Sequence, residues 1–224
     1  MNKTTRALLP MMAAALVGAA IGVAGRRTPL LEFSKGLSFT PAMRVSVGLW
    51  LVFSIYWSIA SKDRAPDRSG ESILSRQAHV IAVNLALLLL ILPIPGLTQR
   101  FAPDTRALAA VGLAIQAASI VLAVWARRHL GTNWSGEVRI AHGHQLVRSG
   151  PYRFVRHPIY TALVGMYVGT GLASGQVHAV VALPIVLLAY WRKIRLEERA
   201  LGDAFLAEHE RYRGETWAWI PGIY

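Results

Sequence analysis

Four long apolar runs occupy most of the first 126 residues of this chain. Each run approaches the ~20 residues that a helix needs to cross a hydrocarbon core ~30 Å thick. Hydrophobic residues make up 54% of the sequence, above the roughly 45–50% of an ordinary soluble domain. The sequence therefore predicts an integral membrane protein. The predicted spans are Ala7–Ala24, Ala42–Ala60, Val80–Leu97 and Ala107–Ala126.

A fifth apolar region, from His157 to Tyr190, is too long for a single span. Ser174, Gly175 and Gln176 lie near its middle, where small and polar residues favour a turn. We expect a hairpin of two short helices, over residues 158–173 and 176–191. The predicted fold class is all-α: a polytopic membrane helix bundle with about four spans, a C-terminal helical hairpin and a cytoplasmic amphipathic tail helix.

The distribution of Lys and Arg predicts the orientation. With the N-terminus in the cytoplasm, the inside segments carry 18 of the 24 basic residues and the outside loops carry 6. This bias favours cytoplasmic N- and C-termini. The first run also fits a cleaved signal peptide, but its length suits a retained span better. The loop charges and the absence of cysteine suit a bacterial inner membrane.

Charge and composition also limit the partners. The formal net charge is +12, but the bases lie in loops between apolar runs, where they meet anionic lipid headgroups. We therefore expect membrane lipids as partners and no nucleic acid. The sequence has no cysteine, and His142 and His144 have no carboxylate nearby, so no metal site is predicted.

Polar and catalytic residue types are concentrated late in the chain. We divide the chain into N-terminal transmembrane spans, 1–126, and a C-terminal functional region, 127–224. Arg156 and His157 precede Pro158, which suits the first turn of a helix. The positive end of that helix would favour a carboxylate or a phosphate. The simpler interpretation is that Arg153 and Arg156 bind lipid phosphates.

The tail carries an acid on an apolar helix face. Tyr190, Ile194, Leu201 and Phe205 recur at helical spacing, and Glu198 interrupts them. A buried acid is costly unless it is paired. Glu198 could pair with Arg156 or Arg195. It could instead bind the ammonium of an amino acid ligand whose carboxylate meets the arginine.

Small and polar residues within the spans have a structural explanation. Gly165 and Gly169 form a GxxxG pair, which more often packs helices than admits a flat ligand. Asn84 and Gln116 are expected to form hydrogen bonds between helices.

The residues from His144 to Tyr160 read H-x-L-V-x-x-G-P-Y-x-x-V-R-H-P-x-Y, and Glu197–Leu201 reads E-E-x-x-L. This pattern resembles the isoprenylcysteine carboxyl methyltransferase family and its bacterial phospholipid-methyltransferase relatives. Ala162 departs from it, since many relatives have Gly there. The resemblance implies an S-adenosyl-L-methionine pocket built from the segment after the fourth span, the hairpin and the tail. The residues that it implies for cofactor binding are His144, Leu146, Gly150, Tyr152, Arg156, His157, Pro158, Tyr160, Glu197 and Glu198.

The resemblance also implies a reaction. Arg156, His157 and Tyr160 are the expected catalytic residues of methyl transfer to a lipophilic acceptor at the cytoplasmic membrane face. The acceptor would be a prenylcysteine-like carboxylate or a lipid amine. Two alternatives are an NADPH-dependent reductase of the sterol-reductase type and a non-catalytic lipid-binding membrane protein. The reductase pattern R-H-P-N-Y is not matched, because Ile159 replaces its Asn.

Overall fold

The computed structural model describes residues 40–60, 71–92, 94, 96–134 and 146–223. The predicted span Ala7–Ala24, His142 and His144 lie outside this part of the chain. The all-α class is confirmed. Two short 3-10 turns, Gly131–Asn133 and Gly150–Arg153, connect the later helices. The helices are α1 (Pro41–Ala60), α2 (Ile73–Ile91), α3 (Arg106–Leu130), α4 (Pro158–Ser174) and α5 (Val177–Glu215).

Four of these helices, α1, α2, α3 and α5, are long and apolar enough to cross a membrane. The helix α4 has 17 residues and packs among them. The predictions for 42–60 and 107–126 are confirmed, with α3 extending to Leu130. The chain is an integral membrane protein.

The predicted third span, Val80–Leu97, is wrong at both ends. Helix α2 begins at Ile73, because Ser72 caps it by accepting a hydrogen bond from the Ser75 amide. Its first turns are polar, so apolarity alone could not place the start. The helix ends at Ile91, and Leu92 is extended (φ −83°, ψ 132°). An extended conformation is the one favoured immediately before a proline, here Pro93.

The predicted hairpin is confirmed in its first helix and turn and wrong in its second helix. Gly175 turns the chain with φ +64°, a value that glycine adopts without strain. The second helix does not stop at 191. It continues in α5 without a break to Leu206, so the expected tail helix around Glu198 belongs to the same helix. Leu206 is not helical (φ 43°, ψ −117°), and this kink divides α5 into a long part and a shorter part that ends at Glu215.

Close contact between α3 and α4 forms the centre of the bundle. A Cβ atom on Gly169 would lie 2.6 Å from the Gly112 carbonyl oxygen and from the Gln116 nitrogen. The GxxxG pair therefore packs helices, as expected. Gln116 accepts a hydrogen bond from Ser46 Oγ at 2.7 Å and so joins α3 to α1. Among the described residues Asn84 makes no bridge between helices, since its amide donates to Val80 O of its own helix at 2.7 Å.

The helices alternate in direction, which brings distant parts of the sequence to one face. Arg127, near the end of α3, donates to Ala60 O at the end of α1 at 2.6 Å. Because α4 begins at this face and α5 ends there, the Arg156–His157 pair and the Glu197–Glu198 pair lie on the same side of the bundle.

We predict that Gly169→Val destabilises the fold by about 1–3 kcal/mol, since the added methyls must force α3 and α4 apart. Thermal unfolding of the detergent-solubilised protein would measure the effect. The control is Gly48→Val, because a Cβ at Gly48 meets nothing within 4 Å. Equal melting temperatures for the two variants would contradict the packing role of Gly169.

Candidate active site at the entrance of α4

The approach to α4 is shaped by a tight 3-10 turn. Gly150 begins it with φ +60°, and a Cβ there would lie 2.8–2.9 Å from the His129 ring. Only glycine satisfies both the backbone conformation and the space. Tyr152 is buried in this turn; its carbonyl accepts from Tyr212 Oη at 2.6 Å. The turn is thereby fastened to the end of α5.

The residues before α4 also pair with the segment that follows α5. The Arg156 amide donates to Trp217 O at 2.9 Å, and the His157 amide donates to Ala218 O at 3.0 Å. Pro158 occupies the first turn of α4, as expected. This short backbone pairing fixes where the Arg156 and His157 side chains leave the chain.

Glu198 lies at the centre of the site. Arg156 donates to both of its carboxylate oxygens, from Nε to Oε1 at 2.9 Å and from Nη2 to Oε2 at 3.1 Å. The two side chains are only 7% and 13% exposed. Arg156 Nη1 also donates to Thr216 O at 2.6 Å. The expected ion pair of Glu198 with Arg156 is therefore present, whereas Arg195 packs over Trp191.

His157 bridges the two acids. Its Nε2 lies 2.8 Å from Glu198 Oε1, and its Nδ1 lies 3.4 Å from Glu197 Oε2. Burial alone would lower the pKa of His157. The hydrogen bonds and charges of Glu197 and Glu198 outweigh burial and raise that pKa above its ordinary value.

Tyr160 connects this cluster to a row of aromatic rings. Its hydroxyl donates to Glu197 Oε1 at 2.6 Å. Its ring stacks on His157, with centroids 5.8 Å apart, and on Tyr190, with centroids 5.1 Å apart. The stack runs from α4 to α5 and places flat aromatic faces beside a carboxylate.

His209 and Arg213 were not predicted from the sequence. His209 Nε2 lies 3.8 Å from Glu198 Oε2, and Arg213 Nε lies 3.7 Å from the same oxygen. In an unbroken helix His209 would lie on the Glu198 face but about 16 Å further along the axis. The break at Leu206 brings the two side chains together. Tyr190 was recognised only as part of an apolar stripe.

The structure brings together five of the predicted residues in one hydrogen-bonded cluster: Arg156, His157, Tyr160, Glu197 and Glu198. Pro158 starts the helix that carries Tyr160. Gly150 and Tyr152 lie on the approach turn and make none of the cluster's hydrogen bonds. Leu146 is half-buried on the same approach.

Residues 110–203 match the model of the isoprenylcysteine carboxyl methyltransferase family. A protein-S-isoprenylcysteine O-methyltransferase of Saccharomyces cerevisiae is 33% identical over 81 residues, covering 36% of this chain and 34% of the yeast protein. An uncharacterised protein of Haemophilus influenzae is 32% identical over 97 residues, which are 42% of this chain and 56% of that protein. The chain thus matches between a third and just over half of the length of these relatives.

Other relatives are matched over more of their length. A probable protein-S-isoprenylcysteine O-methyltransferase of Oryza sativa subsp. indica is 28% identical over 159 residues, covering 68% of this chain and 80% of that protein. A solved structure of the eukaryotic intramembrane Ras methyltransferase superposes with a TM-score of 0.50 at 18% identity. That match covers 87% of this chain and 72% of the solved one. This likeness shows a shared helical membrane fold, and the sequence resemblance is confirmed over residues 110–203.

The raised pKa of His157 predicts a pH dependence of stability. A group with a folded-state pKa above its unfolded value stabilises the fold below the unfolded value, about 6.5 for His, and this contribution is lost as pH rises through the folded pKa. We expect the free energy of unfolding in detergent to fall as the pH rises from about 6.5 through the folded-state pKa of His157. The fall should be absent in His157→Asn.

The variant Glu197→Gln gives the matched comparison. It removes one of the two carboxylates that raise the pKa of His157, so the fall should move to lower pH. An unchanged pH profile in both variants would contradict the assignment.

Proposed function

Because residues 110–203 carry the pattern of the isoprenylcysteine carboxyl methyltransferase family, we propose that this chain is a membrane methyltransferase. It transfers a methyl group from S-adenosyl-L-methionine to a lipophilic acceptor, either a prenylcysteine-like carboxylate or a lipid amine. Arg156, His157 and Tyr160 are the proposed catalytic residues.

The observation that supports this proposal most strongly is the side-chain cluster at the entrance of α4. It joins two segments about forty residues apart, and both belong to the motif that carries the family resemblance. Two carboxylates, one guanidinium and one imidazole meet beside aromatic faces. A sulfonium amino acid presents an ammonium, a carboxylate and a cationic sulfur, for which acids, bases and aromatic rings are the complementary groups.

The hydrogen bonds of the cluster separate the roles of its two acids. Arg156 and His157 occupy both oxygens of Glu198, which leaves no space for an ammonium between Arg156 and that carboxylate. Glu197 is the more exposed acid, with a side chain 22% exposed against 13% for Glu198. We therefore assign the cofactor ammonium to Glu197. Glu198 holds Arg156 and His157 in position.

The remaining proposed cofactor-binding residues are assigned through the resemblance. They are His144, Leu146, Gly150, Tyr152, Pro158 and Tyr160. Of these, Gly150 and Tyr152 shape the approach turn. Tyr160 would hold the Glu197 carboxylate in position through the hydrogen bond from its hydroxyl.

The bound cofactor supplies an activated methyl group on a good leaving group. The work of the protein is then to align acceptor and donor and to exclude water. The buried ion pair and the stacked rings suit this work, because they hold polar groups in fixed positions. The segment after α5 covers the entrance of α4 and contributes to the exclusion of water.

The basic loops support a cytoplasmic location for the site. The segments at the Arg156–Glu198 end of the bundle carry most of the arginines and lysines, as positive-inside orientation requires. We propose a bacterial inner-membrane protein with both termini in the cytoplasm. We also propose that residues 1–126 anchor the chain and that residues 127–224 form the methyltransferase region.

The proposal is tested with purified protein reconstituted in lipid vesicles. Methyl-labelled S-adenosyl-L-methionine is added together with a prenylcysteine and phosphatidylethanolamine, and the lipids are extracted and separated. We expect the labelled methyl group in the prenylcysteine or in phosphatidylethanolamine. No transfer to any lipid, from a protein that remains folded, would overturn the proposal.

We predict that Glu197→Gln lowers cofactor affinity at least tenfold with little loss of stability. Glu198→Gln should lower stability as well, by about 3–5 kcal/mol, since it leaves Arg156 buried without its counter-ion. Binding of the cofactor by calorimetry and thermal unfolding distinguish the two effects. Unchanged cofactor affinity in Glu197→Gln would refute the ammonium assignment.

A further inference from the structure

The break in α5 occurs at a residue with an unusual backbone conformation. Among the described residues, Leu206 is the one non-glycine with a positive φ. Its φ of 43° and ψ of −117° are those of the first central residue of a type II′ turn, a position taken mainly by glycine because a Cβ atom is crowded there. The Leu206 side chain is 72% exposed, so packing around it does not offset the strain. Contacts made elsewhere must hold Leu206 in this conformation.

The break folds the end of α5 back along the helix. In an unbroken helix His209 would lie about 10 Å along the axis from Gly202. In the structure a Cβ atom on Gly202 would lie 3.6 Å from His209 Nδ1. We call residues 207–219 the lid, because they lie against the entrance of α4. The side chains of Arg156 and His157 at that entrance are only 7% and 5% exposed.

The shortest polar contacts of the lid are with the residues around the start of α4. Arg156 Nη1 donates to Thr216 O at 2.6 Å. Thr161 Oγ1, in the first turn of α4, donates to Trp219 O at 2.6 Å. The hydrogen bond from Tyr212 to the approach turn and the two backbone pairs already described add to these contacts. The lid is therefore bonded firmly to α4 and its approach.

The polar contacts between the lid and the long part of α5 are looser. His209 Nε2 and Arg213 Nε lie 3.8 Å and 3.7 Å from Glu198 Oε2. Both distances exceed those of a hydrogen bond. Leu206 is thus a strained covalent joint between two parts of α5 that are weakly bonded to each other through their polar groups.

The lid in this position also buries two nitrogens without partners. Among the described residues, His209 Nε2 and Trp219 Nε1 have no hydrogen-bond partner. The two residues are 3% and 4% exposed. A buried polar atom without a partner destabilises the state that buries it. Backbone strain and two unpaired nitrogens therefore oppose the closed position, while the bonds to α4 favour it.

We propose that the lid is hinged at Leu206 and opens to admit the cofactor and to release its product. The inference rests on the proposed methyl transfer, which identifies the ligand as S-adenosyl-L-methionine. In the open position Leu206 adopts helical angles and α5 continues straight, so that His209 Nε2 and Trp219 Nε1 reach water. Arg156 and Glu197 then become accessible to a charged ligand. In the closed position the lid excludes water from the site.

The variant Leu206→Gly tests the hinge. Glycine adopts the closed backbone angles without strain, and it is less favourable than leucine in the helical open form. Both effects favour the closed lid. We expect the association and dissociation rates of S-adenosyl-L-homocysteine each to fall by at least about tenfold. The dissociation constant should change little, because the ligand passes through the same open state in both directions. Stopped-flow binding to the protein in lipid nanodiscs measures both rates.

Two further variants serve as controls. Leu206→Ala removes the exposed side chain but keeps the Cβ atom and its strain, so both rates should remain those of wild type. Tyr212→Phe removes the hydrogen bond to the Tyr152 carbonyl. It should favour the open lid and raise both rates, which is the opposite of the effect of Leu206→Gly.

The position of the lid is measured independently of binding by the distance between two spin labels. The labels are attached at Glu210→Cys, in the lid, and at Arg128→Cys, at the end of α3. Both native side chains are exposed, and the sequence has no cysteine. In the Tyr212→Phe background we expect a second, different distance for the open lid. Adding Leu206→Gly should remove it.

A single distance in every variant, together with unchanged binding rates, would overturn the inference and leave the proposed function intact. If instead the second distance appears and is lost with Leu206→Gly, but the protein binds neither cofactor nor product, the hinge is supported and the proposed function is overturned.

Discussion

The bidentate ion pair between Arg156 and Glu198 is the interaction on which the functional half of the structure depends. It joins the segment before α4 to α5 across 42 residues of sequence. Desolvating two charges costs several kcal/mol per ion, so such a pair contributes little net stability but severe instability when one partner is lost. The ion pair instead fixes the position of α4 relative to α5. Every further contact of the cluster, from His157 to Glu197 and from Tyr160 to Glu197, requires α4 and α5 to be held at this separation.

The main effect of Glu198 is therefore to fix the positions of the side chains around it, and its net contribution to the stability of the fold is small. Around Glu198 the chain gathers Arg156, His157, His209 and Arg213. The second acid, Glu197, has fewer protein partners and remains the more exposed. The two adjacent acids thus differ in role: Glu198 fixes the positions of Arg156 and His157, and Glu197 is accessible to a ligand.

Much of this arrangement could be predicted from the sequence, because it depends on local patterns. Apolar length identified α1 and α3, Pro158 identified the start of α4, and helical spacing turned Glu198 inward. The failures have physical causes. The start of α2 is set by the cap at Ser72, which a search for apolar runs does not detect. The tail continues α5 because the helix is not broken before Leu206. His209 escaped prediction because regular helical rise would place it about 16 Å from Glu198, and only the break at Leu206 brings it back.

The continuity of α5 has a mechanical consequence. A helix rises about 1.5 Å per residue, so one rigid element carries both Ala189, which orients His79, and Glu198, which orients Arg156. Membrane helices adjust their tilt to the thickness of the surrounding lipid. A change of tilt would therefore move the Ala189 carbonyl, which binds His79, and the Glu198 carboxylate, which binds Arg156, in the same direction. The lipid in which the protein resides therefore bears on the alignment of groups that lie beyond its hydrocarbon core.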